Sequence, residues 1–328
     1  MAPLLQVEDL HVHFLEPDGI RIHALNGASF GLARGEVLGV LGESGSGKST
    51  LAKALMRLLP KGAQISKGVI QFEDQNLLAL TEGEMDRIRG GQLSFISQDP
   101  GPSLSPVMRA GDQIAEVIHA HRDSDWDRCR AEASSLLDRV HLSSRSRRMY
   151  KAYPHQLSGG QQQRVVIAQA LACKPSLIIA DEPTASLDSS TAGEILELFR
   201  ELKQERRMSL LLITHDPTIL RGLADRVAVM YGGRIVEIAP LSQVYNRPRH
   251  PYVRALLDCV PAPTANRTTA PHTRLRTIAG SSPDPGRLAE GCSFSPRCPE
   301  RVETCETRSP VSVEVERESC VECFLYGG

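Results

Sequence analysis

The chain has 328 residues, 41% of them hydrophobic, enough for one large domain or two around buried cores. Its 38 Lys and Arg residues against 39 Asp and Glu leave a formal net charge of -1, so charge recommends neither nucleic acid nor an anionic membrane as a general partner. No apolar run approaches the roughly 18 residues needed to span a bilayer, and "MAPLLQVEDLHVHF" lacks the basic head and cleavage site of a secretory signal, so a cytoplasmic location is expected.

In chain order, "LQVEDLHVHF" alternates like an antiparallel strand, and "PDG" turns it back into "IRIHAL", which predicts an opening hairpin. The apolar strand "EVLGVL" then leads into "GESGSGKST" and a helix over "LAKALMRLL" that Pro60 stops. Gly42, four further residues, Gly47, Lys48 and Ser49 have P-loop spacing in the strand-loop-helix setting that this motif requires. Glycines let consecutive backbone N–H groups curl inward, and together with the positive end of the helix they surround phosphate oxygens. The predicted cradle is therefore Gly42, Glu43, Ser44, Gly45, Ser46, Gly47, Lys48, Ser49 and Thr50. Lys48 is expected to reach the β- and γ-phosphates and Ser49 to hold Mg2+.

Residues 113–150 read as charged helices, with "AEASSLLDRV" forming one amphipathic face, inserted in an alternating α/β pattern that runs from residue 4 to about 260. "LSGGQQQR", residues 157–164, is a second glycine turn at the mouth of a helix. "SLIIADEP" ends an apolar strand in two carboxylates, with Asp181 placed to hold Mg2+ and Glu182 to polarise an attacking water. Alone, such a pair is a solvated strand end; behind a P-loop it makes a hydrolytic site. Residues 261–290, dense in Pro, Ser, Thr and Ala, read as a linker or an extended wrap. Of the eight cysteines, Cys129, Cys173 and Cys259 read as small buried apolar residues, while the other five crowd between residues 292 and 323.

Taken together these motifs resemble those of ATP-binding-cassette (ABC) ATPases over residues 4 to about 250. Besides the P-loop and Asp181-Glu182 there are "SQD" with Gln98, "LSGGQ" at 157–161, "SLD" with Asp188 and "THD" with His215, all in order. The resemblance implies an α/β fold: a P-loop ABC ATPase core with an antiparallel β hairpin subdomain and a helical signature subdomain. It implies that Gln98 meets Mg2+ and the attacking water, that His215 bonds the γ-phosphate and holds the water of Glu182 in line, and that Phe14 stacks on adenine. Ser158, Gly159 and Gly160 are expected to close over ATP held by a second cassette, and Gln161 and Asp188 are expected to contribute to nucleotide binding. One P-loop and one "LSGGQ" cannot complete a site within one chain, so a second ABC ATPase subunit, identical or homologous, is expected.

"SLSPVMRAGDQIAEVI", "ADRVAVMYGGRIVE", "HPYVRALLDCVPAP" and "GCSFSPRCPERVETC" resemble the ATP-binding subunits of oligopeptide and dipeptide importers. That likeness implies a nucleotide-binding domain over residues 1–260 with a helical insertion at about 99–160, a linker over 261–290 and a Cys-rich C-terminal tail over 291–328. It also implies two transmembrane permease subunits, an extracytoplasmic solute-binding protein acting indirectly, no nucleic acid, and a peripheral place at the cytoplasmic face of the inner membrane. Import of nickel or another small solute is the alternative within the family. A soluble ABC ATPase acting on ribosomes or DNA is the alternative outside it. Ser97, Gln161-Gln162 and Ser186 are modest departures from the family pattern.

Cys292, Cys298, Cys305 and Cys323 resemble the tail motif of these importers, with Cys320 extra. Four thiolates suit Zn2+ or an iron–sulfur cluster, and the spacings match neither the short-spaced ferredoxin run nor paired Cys-x-x-Cys zinc sites. The resemblance favours a [4Fe-4S] cluster, with Zn2+ as the alternative.

Overall fold

The computed structural model describes residues 3–16, 19–122, 124–142, 146–206, 208–260, 277–284, 286 and 289–327. Most of the expected linker, namely 261–276, 285, 287 and 288, lies outside the described residues. The chain divides into two compact units, one of Met1–Pro3, Ala33–Val37 and Asn76–Ile213, the other of Leu4–Leu32, Leu38–Gln75 and Thr214–Gly328.

In the second of these units, strand Leu5–Leu15 is flanked on both sides by antiparallel partners, Arg21–Leu32 and Ala63–Phe72. The predicted hairpin is present, and its second arm runs on to Leu32. Leu5, Val7, Leu10 and Val12 are buried, and the irregular spacing of this row follows register shifts between Val7 and His11. Opposite that irregularity Gly68 has φ +116, and a Cβ there would lie 2.7 Å from the Asp9 carbonyl oxygen, so a bulge at this point demands glycine.

The same unit holds Leu38–Leu41 of the P-loop strand Val37–Leu41, which pairs in parallel with Arg226–Tyr231, from Leu38 opposite Arg226 to Leu41 opposite Val229. Arg226–Tyr231 turns through Gly232 and Gly233, both at positive φ, into the antiparallel strand Arg234–Pro240. Strand Ser319–Glu322 adds to it, with Val321 opposite Glu237, and Ser312–Glu316 forms the outer edge. The last part of the cysteine-bearing segment is a hairpin that extends the sheet. The alternation in "VSVEVERESCVE" is the period-2 signal for it.

In the other unit Leu93–Ile96, Leu177–Asp181 and Ser209–Thr214 run parallel, Leu177 lying opposite both Leu93 and Ser209. Every residue of the last two strands is buried, as in parallel strands covered on both faces. Helices Ala110–His121 and Trp126–Leu137 fall largely within the stretch read as charged helices, and Gly159–Leu171 is the helix expected behind the signature turn. Gly111 lets the first of them approach Tyr150 so closely that a Cβ would sit 2.1 Å from its ring. The Tyr150 hydroxyl reaches Asp112 at 3.0 Å, and burial pushes that phenol up to about 12. Cys129 is in the core as expected, whereas Cys173 and Cys259 are only half-buried. Among the described residues no helix is long and apolar enough to cross a membrane.

Candidate nucleotide site

The P-loop geometry follows from its glycines. A Cβ on Gly42 would fall 2.4 Å from the Met230 carbonyl oxygen, and one on Gly47 would fall 2.5 Å from that of Ala24. Gly47 also has φ +102 and occupies the N-cap of helix Lys48–Leu55, where it has no side chain with which to cap the first N–H groups. Lys48 is 5% exposed. Its ammonium donates to the carbonyl oxygens of Gly42 and Glu43, both at 2.9 Å. Ser44 and Gly45 are exposed, Ser46 is buried, and Ser49 and Thr50 stand half-buried on the first helical turn. The helix ends at Leu55 rather than at Pro60, because Arg57 turns the chain away through φ +52.

Phe14 lies near the end of its strand, opposite Ile22 and Ala63, and is half-buried, while its neighbour His13 is buried opposite His23. His215 follows strand Ser209–Thr214 at an exposed position. Its turn is fixed by Thr214, whose hydroxyl accepts the Asp216 N–H at 3.0 Å, and by Asp216, which accepts the Thr218 N–H at 2.8 Å. Phe14, the P-loop and His215 thus belong to one unit.

The other predicted nucleotide-site residues belong to the first unit, within Asn76–Ile213. Asp181 is the last residue of its strand and is 4% exposed. Glu182 follows at φ +47, a left-handed conformation uncommon for a residue with a side chain, pinned where its N–H donates to the Ile213 carbonyl at 3.0 Å. Gln98 is exposed, two residues beyond strand Leu93–Ile96, in a loop where the Ser97 hydroxyl meets that of Ser103 at 2.6 Å. Asp188 accepts from the N–H groups of Ser190 and Thr191 at 3.1 and 3.0 Å and caps helix Ser189–Arg206. The Thr191 bonds hold its carboxyl below the ordinary value of 3.8.

The signature turn starts helix Gly159–Leu171 with a reciprocal cap. The Ser158 hydroxyl accepts the Gln161 N–H at 3.3 Å, and the Gln161 side-chain oxygen accepts the Ser158 N–H at 3.0 Å. A Cβ on Gly159 would have room, but one on Gly160 would meet Thr191 at 2.3 Å.

Cys292, Cys298, Cys305 and Cys323 line one cavity of about 10 Å3, while Cys320 does not border it. Burial pushes the Cys292 thiol up to about 11 and raises those of Cys298 and Cys323. Among the described residues no group of three or more His, Cys, Asp or Glu side chains is drawn together as a metal site. The expected ligands therefore share a cavity without being assembled, and the space admits about one water. Two residues without a predicted role, Tyr252 and Arg297, both bind Glu43 of the P-loop.

Residues 25–185 match the ABC transporter family, and residues 236–305 match the oligopeptide/dipeptide transporter C-terminal region. The chain is 42% identical to the oligopeptide transport ATP-binding protein OppD of Haemophilus influenzae, covering 93% of this chain and 92% of that one. It is 43% identical to OppD of Escherichia coli over 94% and 89% of the two chains, and 40% identical to the dipeptide transport ATP-binding protein DppD of Bacillus subtilis over 99% and 95%. The chain belongs to the ABC ATPases of oligopeptide and dipeptide transport. Among solved structures it resembles the dimeric post-hydrolysis cassette MJ0796 bound to ADP and Pi, with TM-score 0.65, 28% identity, and coverage of 72% of this chain and 98% of that one. It also resembles cbiO1 from Clostridium perfringens, part of the transporter complex cbiONQ, with TM-score 0.63, 28% identity, and 75% and 92% coverage. The family read from six short motifs is thus the family of the whole chain, and its activity is ATP hydrolysis coupled to transport.

Proposed function

We propose that this chain is the energising subunit of a peptide importer, peripheral at the cytoplasmic membrane face, paired with a second cassette and two permease subunits that an external binding protein feeds. One observation carries the reading: a cassette and the oligopeptide/dipeptide transporter C-terminal region occur in a single chain that aligns along nearly its whole length with peptide transport ATPases. Reconstitution with its permease subunits and binding protein tests it. ATP-driven uptake of labelled dipeptides or oligopeptides is expected, and uptake of nickel alone would contradict the peptide reading.

In the proposed mechanism Lys48 exchanges the carbonyls of Gly42 and Glu43 for the β- and γ-phosphates, while the P-loop N–H groups take the remaining oxygens. Phe14 stacks on adenine. Ser49, Gln98 and Asp181 would hold Mg2+, which supplies charge neutralisation on the phosphates. Glu182 polarises the water that attacks the γ-phosphorus, His215 bonds the γ-phosphate and keeps that water in line, and ADP departs as the bond to the bridging oxygen breaks. Ser158, Gly159, Gly160 and Gln161, with Asp188, serve the nucleotide of the facing cassette. Loss of the γ-phosphate then loosens the pair and moves the permease.

The organisation into a nucleotide-binding domain over residues 1–260 with its helical insertion, a linker over 261–290 and a Cys-rich tail over 291–328 belongs to the same proposal. In the tail, Cys292, Cys298, Cys305 and Cys323 border one cavity; four thiolates are the donor chemistry of a [4Fe-4S] cluster, and this site would have to widen and draw them together to hold one. The cluster would cross-link the tail. Anaerobically purified protein should contain iron and sulfide together; zinc alone would overturn this assignment.

A further inference from the structure

Several contacts from the C-terminal part of the chain converge on Glu43, the residue after the first P-loop glycine, within a single compact unit. Its carboxylate takes a two-pronged bond from Arg297, with Nη1 to Oε2 at 2.8 Å and Nη2 to Oε1 at 3.1 Å. The remaining guanidinium N–H groups are directed as well. Nη1 also donates to the Tyr231 hydroxyl at 3.2 Å, Nη2 to the Ile278 carbonyl at 3.4 Å and Nε to the Ala279 carbonyl at 3.0 Å. All the donors that a guanidinium owns therefore have acceptors, an arrangement that the three donors of a lysine cannot copy.

Burial makes this pair matter. The Arg297 side chain is 5% exposed and that of Glu43 25%. The guanidinium lies 5.8 Å from the centre of the Tyr231 ring and 6.0 Å from that of Phe294, and Tyr231, Tyr252 and Phe294 pack against one another. From the same cluster the Tyr252 hydroxyl accepts the Glu43 backbone N–H at 3.0 Å, and the Glu43 carbonyl accepts from Lys48 at 2.9 Å. The N–H, the carbonyl and the carboxylate of one P-loop residue are thus all fixed, two of them from the C-terminal part of the chain. A carboxylate without its cation here would oppose the charge of a triphosphate, and a loop released from its brace would have to be ordered when nucleotide binds.

We propose that Arg297 is a positioning residue for the ATP site: by neutralising and clamping Glu43 it presets the P-loop, so the C-terminal segment sets nucleotide affinity. Arg297 acts through Glu43 and touches no reacting atom. The inference rests on the P-loop being the ATP site, as proposed above.

The test is ATP binding and steady-state ATPase activity of the full chain with its partner subunits, for Arg297→Gln, Arg297→Lys, the double variant Glu43→Gln/Arg297→Gln, and Lys48→Ala. Arg297→Gln should raise the Kd and KM for ATP on the order of tenfold, a typical coupling between linked sites, with kcat at saturating ATP within about twofold of wild type. The double variant, which leaves no unpaired charge, should recover to within about threefold. Arg297→Lys keeps the charge but not the fork and should lie between; it carries the test if Arg297→Gln does not fold. Melting curves without nucleotide identify that case. Wild-type affinity in Arg297→Gln, or equal weakness in the double variant, overturns the inference. If Lys48→Ala still abolishes binding, the nucleotide reading survives that result; if Lys48→Ala binds like wild type, the nucleotide reading and this inference fall together.

Discussion

The P-loop and the signature turn each put glycines at the N-terminus of a helix, and they satisfy the first helical N–H groups in opposite ways. At the P-loop the N-cap is Gly47, which contributes no capping side chain, and the loop is shaped by glycines that backbone carbonyls crowd at 2.4 and 2.5 Å. At the signature turn Ser158 and Gln161 cap one another, and Gly159 has room for a side chain. A phosphate at the P-loop meets backbone donors directly, whereas one at the signature turn must first displace a reciprocal cap. On the proposed mechanism the first turn keeps its own nucleotide, and the second makes a contact that forms and breaks with each cycle.

The comparison can be broken at several points. The largest effect is expected from Gly47→Ala, which combines positive φ with a backbone collision and should abolish nucleotide binding as measured by calorimetry. Glu182→Gln should preserve ATP binding and lower turnover by at least about a hundredfold; turnover equal to wild type would remove Glu182 from its role. Gly160→Ala should cost about 1 to 3 kcal/mol of stability through its clash with Thr191, while Gly159→Ala stays within about 0.5 kcal/mol. Equal melting shifts for the two would show that the signature glycines are not distinguished by packing. Ser158→Ala should lose about 1 kcal/mol with the cap, read from urea denaturation without nucleotide.

The smallest expected effect is at Asp188. Its carboxyl is depressed in the folded chain, so its contribution is present above the ordinary value of 3.8 and is lost as pH falls through the lower folded value. Asp188→Asn should flatten the acid limb of the melting temperature below that pH; an unchanged limb would remove the cap from the acid response.

Much of this molecule was legible in sequence because its functional stretches are local. Strand-loop-helix order around "GESGSGKST" predicted the strand and helix that flank the P-loop, and the alternation of "LQVEDLHVHF" predicted the hairpin. Helix ends were less legible: the spacing that seemed to reach Pro60 stops at Leu55, since periodicity does not announce the left-handed Arg57. The grip of Arg297 on Glu43 joins residues 254 positions apart, and neither residue carries a local signal for the other. "HPYVRALLDCVPAP" and "GCSFSPRCPERVETC" marked a kind of transporter, and only the fold showed that Tyr252 and Arg297 within them hold the P-loop. The metal site in the tail was implied by family resemblance, not by cysteine spacing; among the described residues the four cysteines share a cavity without being assembled as ligands.

The central claim is that catalysis needs two cassettes, each supplying one glycine turn to a shared chamber. Specific ATPase activity measured through a dilution series, with the assembly state followed by sedimentation, tests it most directly. Activity per chain should fall in step with the paired fraction and return when the partner cassette is added. Undiminished activity in a chain that sediments as a single copy would contradict the claim.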